Sequence, residues 1–155
     1  MIHTFAPINP ARPRFENGSL RADQFKDGYF GSSRALDESR HVYLQGNRLA
    51  ERFHSNYQFT VGELGFGTGV NFLLTCQLWR EIRGSSGRLD YLAVEKHPIS
   101  SDQLGEIHRL WPELRSDSAR LLHVYPTLTP GCHRIVFEAG SITLTLLWGD
   151  ATEQL

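Results

Sequence analysis

The chain has 155 residues, 40% of them hydrophobic and 21% charged, with a formal net charge of −1. That is one domain of ordinary globular composition, which excludes a disordered or collagen-like chain. The charge offers no global basic field to draw in a polyanion.

From the N-terminus, residues 1–20 carry Pro7, Pro10 and Pro13 among Arg and Asn, which predicts an extended or irregular lead-in rather than a helix. Between Tyr29 and Phe53 no strong period emerges, although Asp37 to Gln45 reads as a short helix ended near Gly46-Asn47. Phe59 to Leu64 is a strand, and Asn71 to Arg83 sets Phe72, Cys76, Trp79 and Ile82 at helical spacing on one face. Gly84 to Gly87 ends that helix, and Tyr91 to Val94 is a continuous apolar run, as expected of a parallel strand covered on both sides. Together these predict one βαβ unit. A further helix runs from about Ser101, which with Asp102 supplies its cap, to Leu110 before Trp111-Pro112. Past Pro130-Gly131, Ile135 to Phe137 and the alternating run Ile142 to Trp148 form a β-hairpin across Glu138 to Ser141. The division expected is an N-terminal extension over 1–57, irregular with a short helix, and half of a Rossmann-like α/β domain over 58–155.

The chemistry concentrates in Thr60 to Asn71, TVGELGFGTGVN. A strand ends in Glu63 and opens into Gly65, Gly67 and Gly69, where the chain must turn sharply into a helix and a ligand can approach bare backbone. Dinucleotide sites use GxGxxG, whose third small position is here Val70. The ExGxGxG spacing fits instead a nucleoside cofactor with no phosphates over the turn, such as S-adenosylmethionine. Glu95 and Asp150 each follow a strand. An acid in the first place can accept from ribose hydroxyls, and in the second from the exocyclic amine of adenine. Taken singly, each is equally explained as an exposed strand-end carboxylate.

Other chemistries lack support. Cys76 and Cys132 belong to no CxxC or Cys/His cluster, and the seven histidines form no HxxxH or HExxH pair, so no metal is expected. Phosphate-loop and serine-hydrolase motifs are missing, and Trp79 and Trp111 read as core residues. The N-terminus has no signal pattern and no apolar stretch approaches a membrane span, so a cytoplasmic protein without membrane association is expected.

With these motifs in view, the chain resembles the methyltransferase half of the bacterial tRNA 5-methylaminomethyl-2-thiouridine biosynthesis bifunctional proteins. The resemblance runs from about Phe25 to Asp150 through the blocks FKDGYF, LDESRHVYLQGN, GELGFGTGVNF, VEKHP, LWPEL and LTLLWGDA. It implies a class I methyltransferase that uses S-adenosylmethionine to methylate the aminomethyl group of a tRNA wobble uridine. Glu63, Gly65, Gly67 and Gly69 would bracket the methionine end of the cofactor, Glu95 its ribose and Asp150 its adenine, with Asn47 of the QGN block lining the substrate. The implied partners are tRNA and a fused or separate FAD-dependent oxidoreductase half. Family members continue past GDA into a DGFAPxxNPxxW block, so the expectation is a sheet truncated after its first half, with the catalytic residues in the segment beyond. A noncatalytic module that binds the cofactor or a nucleoside is the alternative, and a nicotinamide dehydrogenase is disfavoured by Val70.

Overall fold

The computed structural model of the chain describes residues 6–16, 19–22, 27–31 and 35–154. The start of the proline-rich lead-in, 1–5, and Phe25 and Lys26 of the FKDGYF block lie outside the described residues. Residues 6–10 have no regular structure, and Ala11 forms an isolated parallel bridge with Ile99, donating its N–H to the Pro98 carbonyl at 3.2 Å. The lead-in is therefore an arm tied to the loop that follows a strand of the main sheet.

Three short strands come next: β1 (Arg14–Glu16), β2 (Ser19–Ala22) and β3 (Asp27–Gly31), paired as an antiparallel meander. Segments of three to five residues give period-2 alternation too few cycles to register, which is why the sequence shows no strand there. The expected helix near 37–45 is present as α1 (Ala35–Glu38) running into a π-type turn, Ser39–Gln45. A second helix, α2 (Leu49–Ser55), was not anticipated: it buries only Leu49 and Phe53, a single i,i+4 pair. Phe53 matters out of proportion to that signal, because its ring meets Phe59 and Trp79 edge-on at 5.1 and 4.9 Å.

The main sheet is built from β4 (Gln58–Leu64), β5 (Arg88–Glu95), β6 (Gly131–Phe137) and β7 (Ile142–Trp148) in the order β4-β5-β7-β6. The first three neighbours in that order run parallel, and β6 is antiparallel to β7, which is the anticipated hairpin. Helix α3 (Val70–Arg83) crosses from β4 to β5 and completes the expected βαβ unit. Its buried side chains, Val70, Phe72, Leu73, Leu74, Thr75, Cys76 and Trp79, exceed one face. The reason is that α3 packs on the sheet and also against α2 and the π-type turn. Helix α4 (Ser101–His108) is capped by Ser100, whose Oγ accepts from the Gln103 N–H, rather than by Ser101 and Asp102. Helix α5 (Arg115–His123) and the four-residue α6 (Ala151–Gln154) finish the description.

One buried cluster runs through both parts of the chain, from Ala11, Leu20, Leu36, Leu49 and Phe53 to Trp79, Tyr91, Leu121, Leu144 and Trp148. What positions the site is the register. Leu64 pairs with Val94 and Glu95 with Trp148, so three parallel strands end level. The ladder continues past them, with Gly65 N–H donating to Val94 at 2.8 Å and Gly149 N–H to Glu95 at 2.9 Å. The loops after β4, β5 and β7 are thereby drawn side by side.

Candidate functional site

The turn from β4 into α3 has three left-handed positions, Gly65 (φ 88), Gly67 (φ 53) and Gly69 (φ 72), a conformation that costs any other residue about 1–2 kcal/mol. Their surroundings differ. A Cβ on Gly69 would lie 2.8 Å from the Phe66 ring, so that glycine serves packing as well as the turn, whereas a Cβ on Gly65 would meet nothing within 4 Å. Gly65 is the place where backbone stands open to a ligand. Two buried side-chain oxygens next to the turn, Thr68 Oγ1 and Asn71 Oδ1, have no hydrogen-bond partner, an arrangement proteins seldom leave unfilled.

The acids occupy three different environments. Glu63 is buried, 9% exposed, and its carboxyl accepts from Asn71 Nδ2 and from the Tyr91 hydroxyl, both at 2.8 Å. Burial pushes its pKa up to about 7, the two hydrogen bonds pull against that, and the nearby Glu95 adds to it. Glu95 ties the turn to β5: one oxygen accepts from Gly67 N–H at 3.0 Å and the other from His97 N–H at 2.7 Å. Asp150 accepts from Lys96 Nζ at 2.8 Å and from both the N–H and the hydroxyl of Thr152, contacts that hold its carboxyl well below the usual range.

Gly67 and Glu95 are thus in direct contact, and Glu63 packs beneath the same turn. Asp150 lines a neighbouring cleft of about 300 Å³ together with Lys96, His97, Trp148 and the arm residues Pro7 and Ile8. His97 helps hold the arm there, its Nδ1 lying 2.9 Å from the Asn9 carbonyl. Asn47 is elsewhere: its Nδ2 donates to the Tyr43 carbonyl at 2.8 Å, and it lines a cleft of about 180 Å³ along the free edge of β4 with Tyr43, Arg52, Thr60 and Gly62. The largest concavity, about 540 Å³ over Leu44, Leu49, Leu74 and Leu78, contains none of the residues singled out from the sequence. It marks the seam between the N-terminal helices and α3, and carries no convergent polar groups of the kind a cofactor needs.

Sequence reasoning missed one support of the turn. His108, buried at the end of α4, lies 2.7 Å through Nε2 from the Thr68 carbonyl and 2.7 Å through Nδ1 from Ser118 Oγ. The carbonyl can only accept, so Nε2 carries the proton and Nδ1 accepts from the serine hydroxyl. Desolvation lowers the pKa of this imidazole and keeps it neutral. Its spacing from Leu104, with Ile107 beside it, was the available signal that it faces inward. Trp79 and Trp111 are buried, as expected. Among the described residues no group of His, Cys, Asp and Glu could hold a metal ion, and no helix is long and apolar enough to cross a membrane.

A parallel sheet whose first strand turns through glycines into a helix, with acids at the ends of the next two strands, is a Rossmann-like fold of the class I methyltransferase type. A crystal structure of MNMC2 from Aquifex aeolicus shares it, at a TM-score of 0.64 and 20% identity over 87% of this chain and 40% of that one. No protein-family profile matches the chain. By sequence it belongs to the family of tRNA 5-methylaminomethyl-2-thiouridine biosynthesis bifunctional proteins, MnmC. The Pseudomonas fluorescens member is 46% identical over 143 residues, the Aromatoleum aromaticum member 41% over 150 and a Legionella pneumophila member 37% over 158. These matches take in 90 to 99% of this chain but 22 to 24% of the relatives, so the chain spans about a quarter of their length.

Proposed function

We propose that the chain is the cofactor-binding part of an S-adenosylmethionine-dependent methyltransferase that converts the aminomethyl group of a tRNA wobble uridine to the methylaminomethyl form. The observation that carries this reading is the open backbone of Gly65, set between the unpartnered oxygens of Thr68 and Asn71 and level with the ends of β5 and β7. The residues fit the cofactor: Glu63, Gly65, Gly67 and Gly69 would hold its methionine end, Glu95 its ribose, and Asp150, in the cleft walled by Pro7 and Ile8, its adenine. When bound, S-adenosylmethionine supplies an electrophilic methyl group on sulfur. The chain's contribution is to orient that group, exclude water from it and leave the attacking amine unprotonated.

The proposal extends to tRNA as partner, to a flavin-dependent oxidoreductase half in the parent protein and to a cytoplasmic location. It also treats 1–57 as an extension on a cofactor-binding half at 58–155. A noncatalytic nucleoside-binding module is the second reading. In its favour, the Glu63, Glu95 and Asp150 carboxylates each already have two or more partners within the chain.

Calorimetric titration of the 155-residue chain with S-adenosylmethionine, with NADH as control, tests the cofactor. Saturable, selective binding is expected. A folded chain that binds neither, or both alike, would overturn the assignment. Methyl transfer to hypomodified tRNA then separates the enzyme from the module.

A further inference from the structure

A line of polar side chains leads from the β4-edge cleft to the buried carboxyl. Tyr43, on the π-type turn, lines that cleft with Asn47, Arg52, Thr60 and Gly62. Its hydroxyl lies 2.8 Å from that of Tyr91 on β5, and the Tyr91 hydroxyl donates to Glu63 Oε2 at 2.8 Å. An ionised carboxylate only accepts, so the direction of the chain is set: Tyr91 donates to Glu63, Tyr43 donates to Tyr91, and the Tyr43 oxygen keeps lone pairs for a donor arriving at the outer end. Four polar side chains held in a row beneath a ligand turn cost free energy to bury, and hydrophobic residues of the same volume would pack there without that penalty.

We propose that Tyr43, Tyr91 and Glu63 form a proton relay that takes the proton from a primary ammonium group lodged in the β4-edge cleft, leaving the amine neutral for attack on the methyl donor. This rests on the amine-methylation reading above and names the proton acceptor for it. The N–H bond of the ammonium breaks and its electron pair stays on nitrogen. The proton passes to the Tyr43 oxygen as the Tyr43 proton passes to Tyr91 and the Tyr91 proton to Glu63, where an O–H bond forms. No electrons are exchanged and no further reactant is needed.

The groups facing this chain agree with that direction. Burial beside the Glu63 charge raises the pKa of Tyr43 to about 12 and that of Tyr91 well above its ordinary value, so neither phenol is a resting anion and the proton must travel through to the carboxyl. Glu63, at about 7 under burial and the charge of Glu95 from β5, takes up a proton near neutral pH, while the Asn71 and Tyr91 hydrogen bonds keep it from being protonated outright. Arg52, whose guanidinium stacks on Phe59 at 4.7 Å, places a fixed positive charge in the cleft. An ammonium beside it is disfavoured and a neutral amine is not.

The test is infrared difference spectroscopy on the 155-residue chain at a pH just above the carboxyl midpoint, with 5-aminomethyluridine as probe and uridine as control. A protonated-carboxyl band assigned to Glu63 by its loss in Glu63→Gln is expected to grow with the amine and not with uridine. In Tyr43→Phe the growth should vanish while S-adenosylmethionine affinity and melting temperature stay as in the parent. Should Tyr43→Phe fail to fold, Tyr91→Phe cuts the same path. No amine-dependent band, or one of equal size in the cut variants, overturns the relay. Failure of the cofactor reading shows separately, as absent calorimetric binding by the unsubstituted chain.

Discussion

Gly65 combines a left-handed backbone with open space on the side where a Cβ would stand. Gly65→Val should therefore cost about 1–2 kcal/mol of stability through the backbone alone, and lower S-adenosylmethionine affinity by more than that loss explains, because the branched side chain fills the approach. Urea unfolding and calorimetry on the same variant separate the two effects. Glu63 gives stability a pH dependence whose sign is determined by the direction of its shift. Its folded value, about 7, lies above the ordinary 4.5. Between those values the unfolded chain has released the proton and the folded chain still holds it, so stability is full below 4.5 and falls as pH rises towards 7, by about 3 kcal/mol. His108 works in the opposite sense, since its lowered pKa makes the fold lose stability as pH drops below the ordinary histidine value. The difference in urea midpoint between the parent and Glu63→Gln across this range isolates the carboxyl, and a difference independent of pH would contradict its placement.

At the scale of elements, the β4, α3, β5 unit and the β6–β7 hairpin were legible because each spans seven or more residues with a clear period. β1, β2, β3 and α2 were not, being short and stabilised mainly by what they pack against. Helix α3 is also held by a feature no local pattern reveals. Arg80 donates to Asp117 of α5 at 2.6 Å and to Glu138 of the β6–β7 turn at 2.7 Å, joining three elements that lie 37 and 58 residues apart from it. All three side chains are partly buried, so removing the cation leaves two carboxylates facing each other. Arg80→Leu should cost about 1–3 kcal/mol in urea unfolding, more than an exposed ion pair is worth. A loss within a few tenths of a kcal/mol of zero would mean the cluster is solvated surface.

For the whole molecule, the order β4-β5-β7-β6 leaves β4 as an edge, with Tyr57 66% and Leu64 75% exposed at its two ends. Among the described residues nothing pairs with its outer side. Unprotected edges of this kind associate, so light scattering should show the 155-residue chain self-associating with rising concentration. Thr60→Lys, a charge placed mid-strand, should reduce that association without lowering the melting temperature. Equal scattering from both would place the sticky surface elsewhere.

By itself, the sequence determined the glycine turn, the βαβ unit, the hairpin and the family, since each depends on residues close together in the chain: which positions tolerate a left-handed backbone, where the hydrophobic period changes, and how the motif blocks follow one another. The candidate residues Glu63, Gly65, Gly67, Gly69, Glu95 and Asp150 were legible for the same reason. Only the tertiary structure decided their surroundings. Parallel register brings Glu95 onto Gly67, burial makes Glu63 a weak acid joined to two tyrosines, Lys96 takes hold of Asp150, and Asn47 falls in a cleft of its own on the β4 edge. The physical reason is that a pKa and a hydrogen-bond partner depend on desolvation and on groups brought near from distant parts of the chain, and neither is a property of a residue and its sequence neighbours.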